Sequence, residues 1–300
     1  MEKRDIIGSF FFSNYFLGIL AVALSLETSF QLALPFNSLP WHSLLFSGVV
    51  MYYTYAYISA GHHSFAENPR TRWYQLHRKA VKTSQVLLAM AFLCSALVYF
   101  LRHCSSLGSL HWSSWAILLG TLLAAASYYG KLPFLNLRNS GWTKPVTIGL
   151  CWAASVSLLP LVSLQLENDG SVEIPWLLAA WLFVKNWMFC SVNAILFDIK
   201  DYADDSNREL KTFVVRYGTR FTIMFILLPM ILLGVVSFLL FSYYRNLNIH
   251  QVAVNLVPFA LTLYIALSMH KPRPILYYLV VIDGMLLVKA ICGITATLMQ

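Results

Sequence analysis

Apolar residues fall along this 300-residue chain in nine long runs, at 6–26, 41–60, 83–101, 112–129, 145–164, 174–197, 221–242, 252–270 and 274–298. A helix needs about 20 mostly apolar residues to cross the hydrocarbon core of a bilayer. Inside lipid the backbone must satisfy its own hydrogen bonds, so runs of this length predict helices. The expected architecture is all-α: nine transmembrane helices around a central cavity, in one domain covering residues 1–300. No polar stretch is long enough for a second domain. The first run lacks a small-residue cleavage site and reads as a retained span.

The loops carry charge unevenly. With the N-terminus placed in the cytoplasm, the inside segments hold 17 of the 21 Lys and Arg residues, and the outside segments hold only Arg102 and Arg245. Lys185 and Lys289 fall within spans. Excess Lys and Arg in cytoplasmic loops is the usual topological signal. It predicts a multi-pass protein of the cell (inner) membrane, N-terminus cytoplasmic, C-terminus outside, cavity open to the cytoplasm.

Composition sharpens this. Charged residues are 11% and hydrophobic residues 58%, with a mean hydropathy of +0.64. A soluble domain carries roughly 25% charge, so a water-facing surface is excluded and the bilayer is the expected surroundings. The net charge of +8 is explained by the loops and implies no nucleic-acid partner. The five cysteines have no metal or redox spacing.

Acids are scarce and clustered. Of 13, four (Asp198, Asp201, Asp204, Asp205) fall within eight residues at the end of the sixth run. Asp198, Asp201 and Asp205 are spaced i, i+3, i+7, which on a helix places them in one narrow arc. Stacked carboxylates repel unless neutralised. Mg²⁺ does this with one or two protein carboxylates plus phosphate oxygens, and Arg208 and Lys211 follow closely. A diphosphate carrying a lipid tail suits such a group at a membrane face. The plainer reading is a solvated loop whose acids pair with nearby bases. Ionisable groups at membrane depth favour the functional reading.

The stretch Asp198-x-x-Asp201-x-x-x-Asp205, with Lys211-Thr212 and Gly218 after it, resembles the second aspartate-rich motif of the UbiA superfamily of intramembrane prenyltransferases. Tyr128-Tyr129-Gly130-Lys131 through Arg138, Gly141, Lys144 and Trp152 resembles that family's loop between helices four and five. The resemblance implies Mg²⁺ held by Asp198, Asp201 and Asp205 as the catalytic and metal site. It implies a prenyl diphosphate donor contacted by Lys131, Arg138, Lys144, Arg208 and Lys211. It also implies transfer to a small aromatic or lipid acceptor, often an aromatic acid or quinone precursor. Asn193 and Tyr128 are expected to line the cavity.

One departure stands out. The family's first motif, NDxxDxxxD, should fall within residues 55–70, which contain no Asp; Asn68-Pro69-Arg70 resembles its tail. That leaves half a site. The alternatives are a terpene cyclase of the same type, or a non-catalytic relative that binds a prenyl lipid or a partner. His62 and His63 point about 100° apart on a helix and read as interfacial. Glu67 is the one acid near that loop. Lys185 reads as snorkelling or buried in a pair. Asp283 and Lys289 read as structural, with no paired charge relay expected at mid-membrane. The aromatics serve mainly packing and interfaces. Tyr52, Tyr53, Tyr55 and Tyr57 are also candidates for a prenyl tunnel, where ring faces would stabilise an allylic cation.

Overall fold

A computed structural model describes residues 3–59, 69–128, 141–202, 211–269 and 273–299. Among them every regular element is helical. In chain order these are α1 (Lys3–Phe12), α2 (Tyr15–Leu32), α3 (Leu39–Ser59), α4 (Pro69–Leu76), α5 (Arg78–His103), α6 (Trp112–Tyr128), α7 (Thr143–Glu167), α8 (Trp176–Lys200), α9 (Phe213–Tyr217), α10 (Thr219–Tyr244), α11 (Ile249–Ser268) and α12 (Ile275–Leu298). Seven of the described helices (α2, α5, α7, α8, α10, α11 and α12) are long and apolar enough to cross a membrane. The other two expected spans correspond to α3, with 21 residues, and α6, with 17.

The first expected span, 6–26, is divided. The chain breaks at Asn14, which sits in the left-handed region at φ 66°, and the spanning helix is Tyr15–Leu32. The cause is local chemistry. Asn tolerates that conformation, and its buried side chain is fully used: Nδ2 donates to Thr54 Oγ1 at 3.1 Å and to Tyr74 Oη at 3.0 Å. An apolar run does not register one asparagine with two polar partners on other helices.

Helices α2, α7, α8, α10, α11 and α12 pack each against the next in a closed ring. Their inner faces supply a continuous core that includes Leu20, Leu24, Val156, Val192, Ile195, Ile231, Ile282 and Ala290. Helix α5 lies outside the ring against α3 and is almost wholly exposed, as a lipid-facing helix should be.

Three helices contain a π turn: Ala154–Leu158 in α7, Ile223–Leu227 in α10 and Tyr278–Ile282 in α12. The first two lie just before Pro160 and Pro229. Proline lacks an N–H and clashes with the carbonyl four residues back, and a wider turn relieves the clash. In α7 the carbonyl released by Pro160 is that of Val156. Thr28 of α2 donates its hydroxyl to it at 2.8 Å, so the defect in one helix becomes the bond to its neighbour. The third π turn has no following proline. It ends directly before Asp283.

A buried charge cluster joins three of the ring helices. Glu27 of α2 is paired with Lys289 of α12, and its other oxygen lies 3.6 Å from Lys185 Nζ of α8. Lys185 Nζ also donates to Gln31 Oε1 at 2.8 Å, and Gln31 Nε2 donates to Glu27 Oε1 at 3.0 Å. Lys185 is therefore a buried-pair residue. Its partners lie on separate helices, so no spacing along one span reveals them.

Candidate active site

Near the C-terminal end of α8 the helices leave a cavity of about 200 Å³ that opens to solvent. The wall is formed by α3, α7, α8 and α12, with Leu17 of α2, Arg70 of α4 and Tyr128 of α6.

Asp198 lies in the last turn of α8 and Asp201 caps its C-terminus, and both line this space. Asp198 is 2% exposed, and Lys144 of α7 lies 2.9 Å from its Oδ1. Asp201 is paired with Lys200. Two of the residues expected to serve metal and diphosphate, Asp198 and Lys144, thus hold each other. Asn193 and Tyr128 also line the cavity. Asn193 and Asp198 therefore share it, although helical spacing alone places Asp198 off the face of Asn193. Asn186, on that face, instead donates to Ser157 Oγ at 2.7 Å.

Lys211 is exposed and not among the described lining residues. Its backbone has a different part to play. A Cβ on Gly141 would lie 2.2 Å from the Lys211 carbonyl oxygen, so only glycine lets the start of α7 approach the chain leading into α9. Thr212 then caps α9, its hydroxyl accepting from Val215 N–H at 3.4 Å. Gly218, at φ 82°, ends that helix in a conformation L-residues rarely adopt. These motif positions thus have structural reasons. Lys131, Arg138, Asp205 and Arg208 lie outside the described residues, as do His62, His63 and Glu67.

Two cavity residues escaped sequence reasoning. Asp283 of α12, read as structural, lines the cavity and accepts from Asn193 Nδ2 at 3.0 Å. The signal was available: it is the one acid in the last apolar run, and acids there are functional by default. Arg70 was marked only as part of a motif tail, with no role assigned. Its guanidinium bonds the Phe12 carbonyl at 3.1–3.2 Å, pairs with Asn14 Oδ1, and sits over the Tyr57 ring at 4.5 Å. Tyr57 stacks on Tyr74, whose hydroxyl donates to the same Phe12 carbonyl. Burial pushes the Tyr74 hydroxyl's pKa above its usual value, while the charge of Arg70 pulls the other way.

The remaining wall is aromatic and apolar. Trp152 Nε1 donates to Tyr53 Oη at 2.5 Å, and both rings line the space with Tyr57, Ile148 and Leu279. Tyr52 turns away and donates to the Ala125 carbonyl, and Tyr55 is exposed.

These features describe an amphipathic chamber, charged at one end and lined by rings and aliphatic side chains beyond. A family model, the UbiA prenyltransferase family, matches residues 65–275. The chain belongs to this family. It is accordingly a multi-pass integral membrane protein of a family associated with intramembrane prenyl transfer and prenyl diphosphate substrates. No curated protein and no solved structure matches the chain.

Members of the UbiA family generally use Mg²⁺ to bind diphosphate. Among the described residues no three His, Cys, Asp or Glu side chains form a metal-binding group. Asp198 and Asp201 provide two hard oxygen donors on one wall. That is too few for an ion held by protein alone, but it suits Mg²⁺ completed by phosphate oxygens. The donor set fits a metal that arrives with its substrate.

Proposed function

We propose that this protein is a Mg²⁺-dependent intramembrane prenyltransferase that moves an isoprenoid chain from its diphosphate to a small aromatic or lipid acceptor. The observation that carries the reading is the joint presence of Asp198, Asp201 and Lys144 on one wall of a chamber otherwise lined by Tyr53, Tyr57 and Trp152. The diphosphate belongs at the charged end and the isoprenoid among the rings.

Asp198 and Asp201, with Asp205 added from the motif resemblance, would hold the Mg²⁺. The ion supplies charge neutralisation of the diphosphate as it leaves. The chain's own groups do the rest. Lys144 moves from Asp198 to the diphosphate when substrate enters, so the pair keeps both charges balanced until then. Lys131, Arg138, Arg208 and Lys211 are, from the motif resemblance, the further candidates to contact the diphosphate, and Arg70 adds positive charge to the cavity wall from α4. Departure of the diphosphate leaves an allylic cation, and the ring faces of Tyr53, Tyr57 and Trp152 stabilise it. Asn193 and Tyr128 belong to the same cavity wall.

The topology we propose has nine spans, counting α3 and α6 with the seven longer apolar helices, and places the chamber's charged end in the cytoplasm. The 17-to-2 loop charge split supports it. Reporter fusions in loops 166–173 and 206–218 should report opposite sides of the membrane. A common side would refute the topology.

The absence of Asp from residues 55–70 favours one other reading, a relative that binds a prenyl lipid without turnover. Mass spectrometry decides between them. Purified protein given a panel of prenyl diphosphates, Mg²⁺ and a lipid extract should form a prenylated product that is lost in Asp198→Asn and Asp201→Asn. Product formation unchanged in both variants would remove the assigned role.

A further inference from the structure

The chamber holds a carboxylate that the donor chemistry does not use. Asp283 of α12 lines the cavity at the end of the one described π turn that no proline explains. Local helix defects of this kind re-aim side chains and recur at functional sites. Asn193 of α8 holds Oδ1 of this carboxylate. Asn193 lies five residues before Asp198, about 7.5 Å along the helix. A diphosphate seated at Asp198 therefore directs its first carbons toward the level of Asp283.

Charge then selects what can sit there. The described side chains lining the cavity include three acids, Asp198, Asp201 and Asp283, and three bases, Arg70, Lys144 and Lys200. At Asp283 the hydrogen-bond partner is the neutral amide of Asn193, and a buried charge is costly unless it is paired. An acceptor bearing a carboxylate would bring a further negative charge beside Asp283 and close to the diphosphate. A neutral acceptor with a hydroxyl group brings none, and Asp283 accepts its hydrogen bond.

We infer that Asp283 is the acceptor-binding and proton-accepting residue of this chamber, and that the acceptor is a neutral hydroxyl compound rather than an aromatic acid. This rests on the prenyl-transfer reading and specifies its second substrate. In the reaction the allylic carbon–oxygen bond breaks and its electron pair leaves with the diphosphate. The acceptor's O–H bond breaks as its oxygen, or a ring carbon conjugated to it, supplies the pair for the new bond to the allylic carbon. The proton passes to Asp283 Oδ2.

The test is a matched pair of probes, 4-propylphenol and 4-propylbenzoate, titrated into the full chain in lipid nanodiscs. The wild-type protein should bind the phenol at least tenfold more tightly. Asp283→Asn should weaken the phenol and strengthen the benzoate, bringing the ratio close to one. The wild-type ratio requires no variant, so it stands even if the substitution impairs folding. Equal binding of the two probes by the wild type, or tighter binding of the benzoate, would overturn the inference. So would a preference unchanged in Asp283→Asn. A short prenyl diphosphate analogue with Mg²⁺ is titrated separately in the same preparation. Diphosphate binding with a benzoate preference would keep the donor reading and sink the acceptor assignment. An Asp283-dependent phenol preference without diphosphate binding would do the reverse.

Discussion

Two groups of buried charge in this chain differ in one respect that separates their roles. The Glu27–Lys185–Lys289 cluster is closed: its carboxylate meets both lysines, Gln31 fills in, and a Cβ on Gly293 would lie 2.5 Å from both Glu27 Oε1 and Gln31 Nε2. The Asp198–Lys144 and Asp283–Asn193 pairs face empty volume. Burial of charge in an apolar protein is therefore not a sign of chemistry in itself. A sealed cluster fixes which helices meet, and here it ties α2, α8 and α12. A cluster beside open space has somewhere to put a ligand, and its internal pairs can exchange partners.

The largest effect should come from breaking the sealed cluster. Glu27→Gln leaves two lysines in the protein interior without a counter-charge. Removing one partner of a buried pair costs about 3–5 kcal/mol, so thermal unfolding in detergent should show a large loss, partly restored by adding Lys289→Met. Asp198→Asn should act the other way. Its stability should stay within about 1 kcal/mol of wild type, because Lys144 can turn to the solvent in the cavity, while product formation falls about 100-fold or more. If Glu27→Gln folded normally but failed to bind diphosphate, the division between the two regions would collapse.

Much of this division was written in the chain, but unequally. That Asp198 and Asp201 share a cavity wall was legible because acids at helical spacing end an apolar run in a chain with so few acids. Seven spans were legible from run length, although the first was misplaced because Asn14 draws its partners from residues 40 and 60 positions away. The place of Asp283 in the cavity and the partners of Glu27 were not legible, although Lys185 as a buried-pair residue and Lys289 as a structural one were. Each depends on residues brought together from helices far apart in sequence, and Glu27 meets Lys289 across 262 positions. Periodicity within one helix carries no trace of such pairings. Gly141 was visible as a motif residue, but its reason, the carbonyl of Lys211, appears only in the fold.

A smaller effect sharpens the exchange at the open cluster. Lys144→Met should weaken binding of a prenyl diphosphate analogue about tenfold at saturating Mg²⁺, the size of one charge-assisted contact. Calorimetric titration reads this directly, and Glu67→Gln should change the affinity less than Asp201→Asn does. Thr212→Val should be smaller still. Losing the cap of α9 costs about 1 kcal/mol, seen as a modest fall in the unfolding midpoint with diphosphate binding close to wild type.

The most direct test of the account is one titration. A short, non-reactive prenyl diphosphate analogue is added with Mg²⁺ to the wild-type chain and to Asp198→Asn, both in nanodiscs and both shown to be folded by their unfolding midpoints. If the open cluster is the donor site, the wild type binds the analogue in a Mg²⁺-dependent way and Asp198→Asn binds at least tenfold more weakly. Equal affinity in the two proteins, or wild-type binding that ignores Mg²⁺, would place the diphosphate elsewhere and contradict the account.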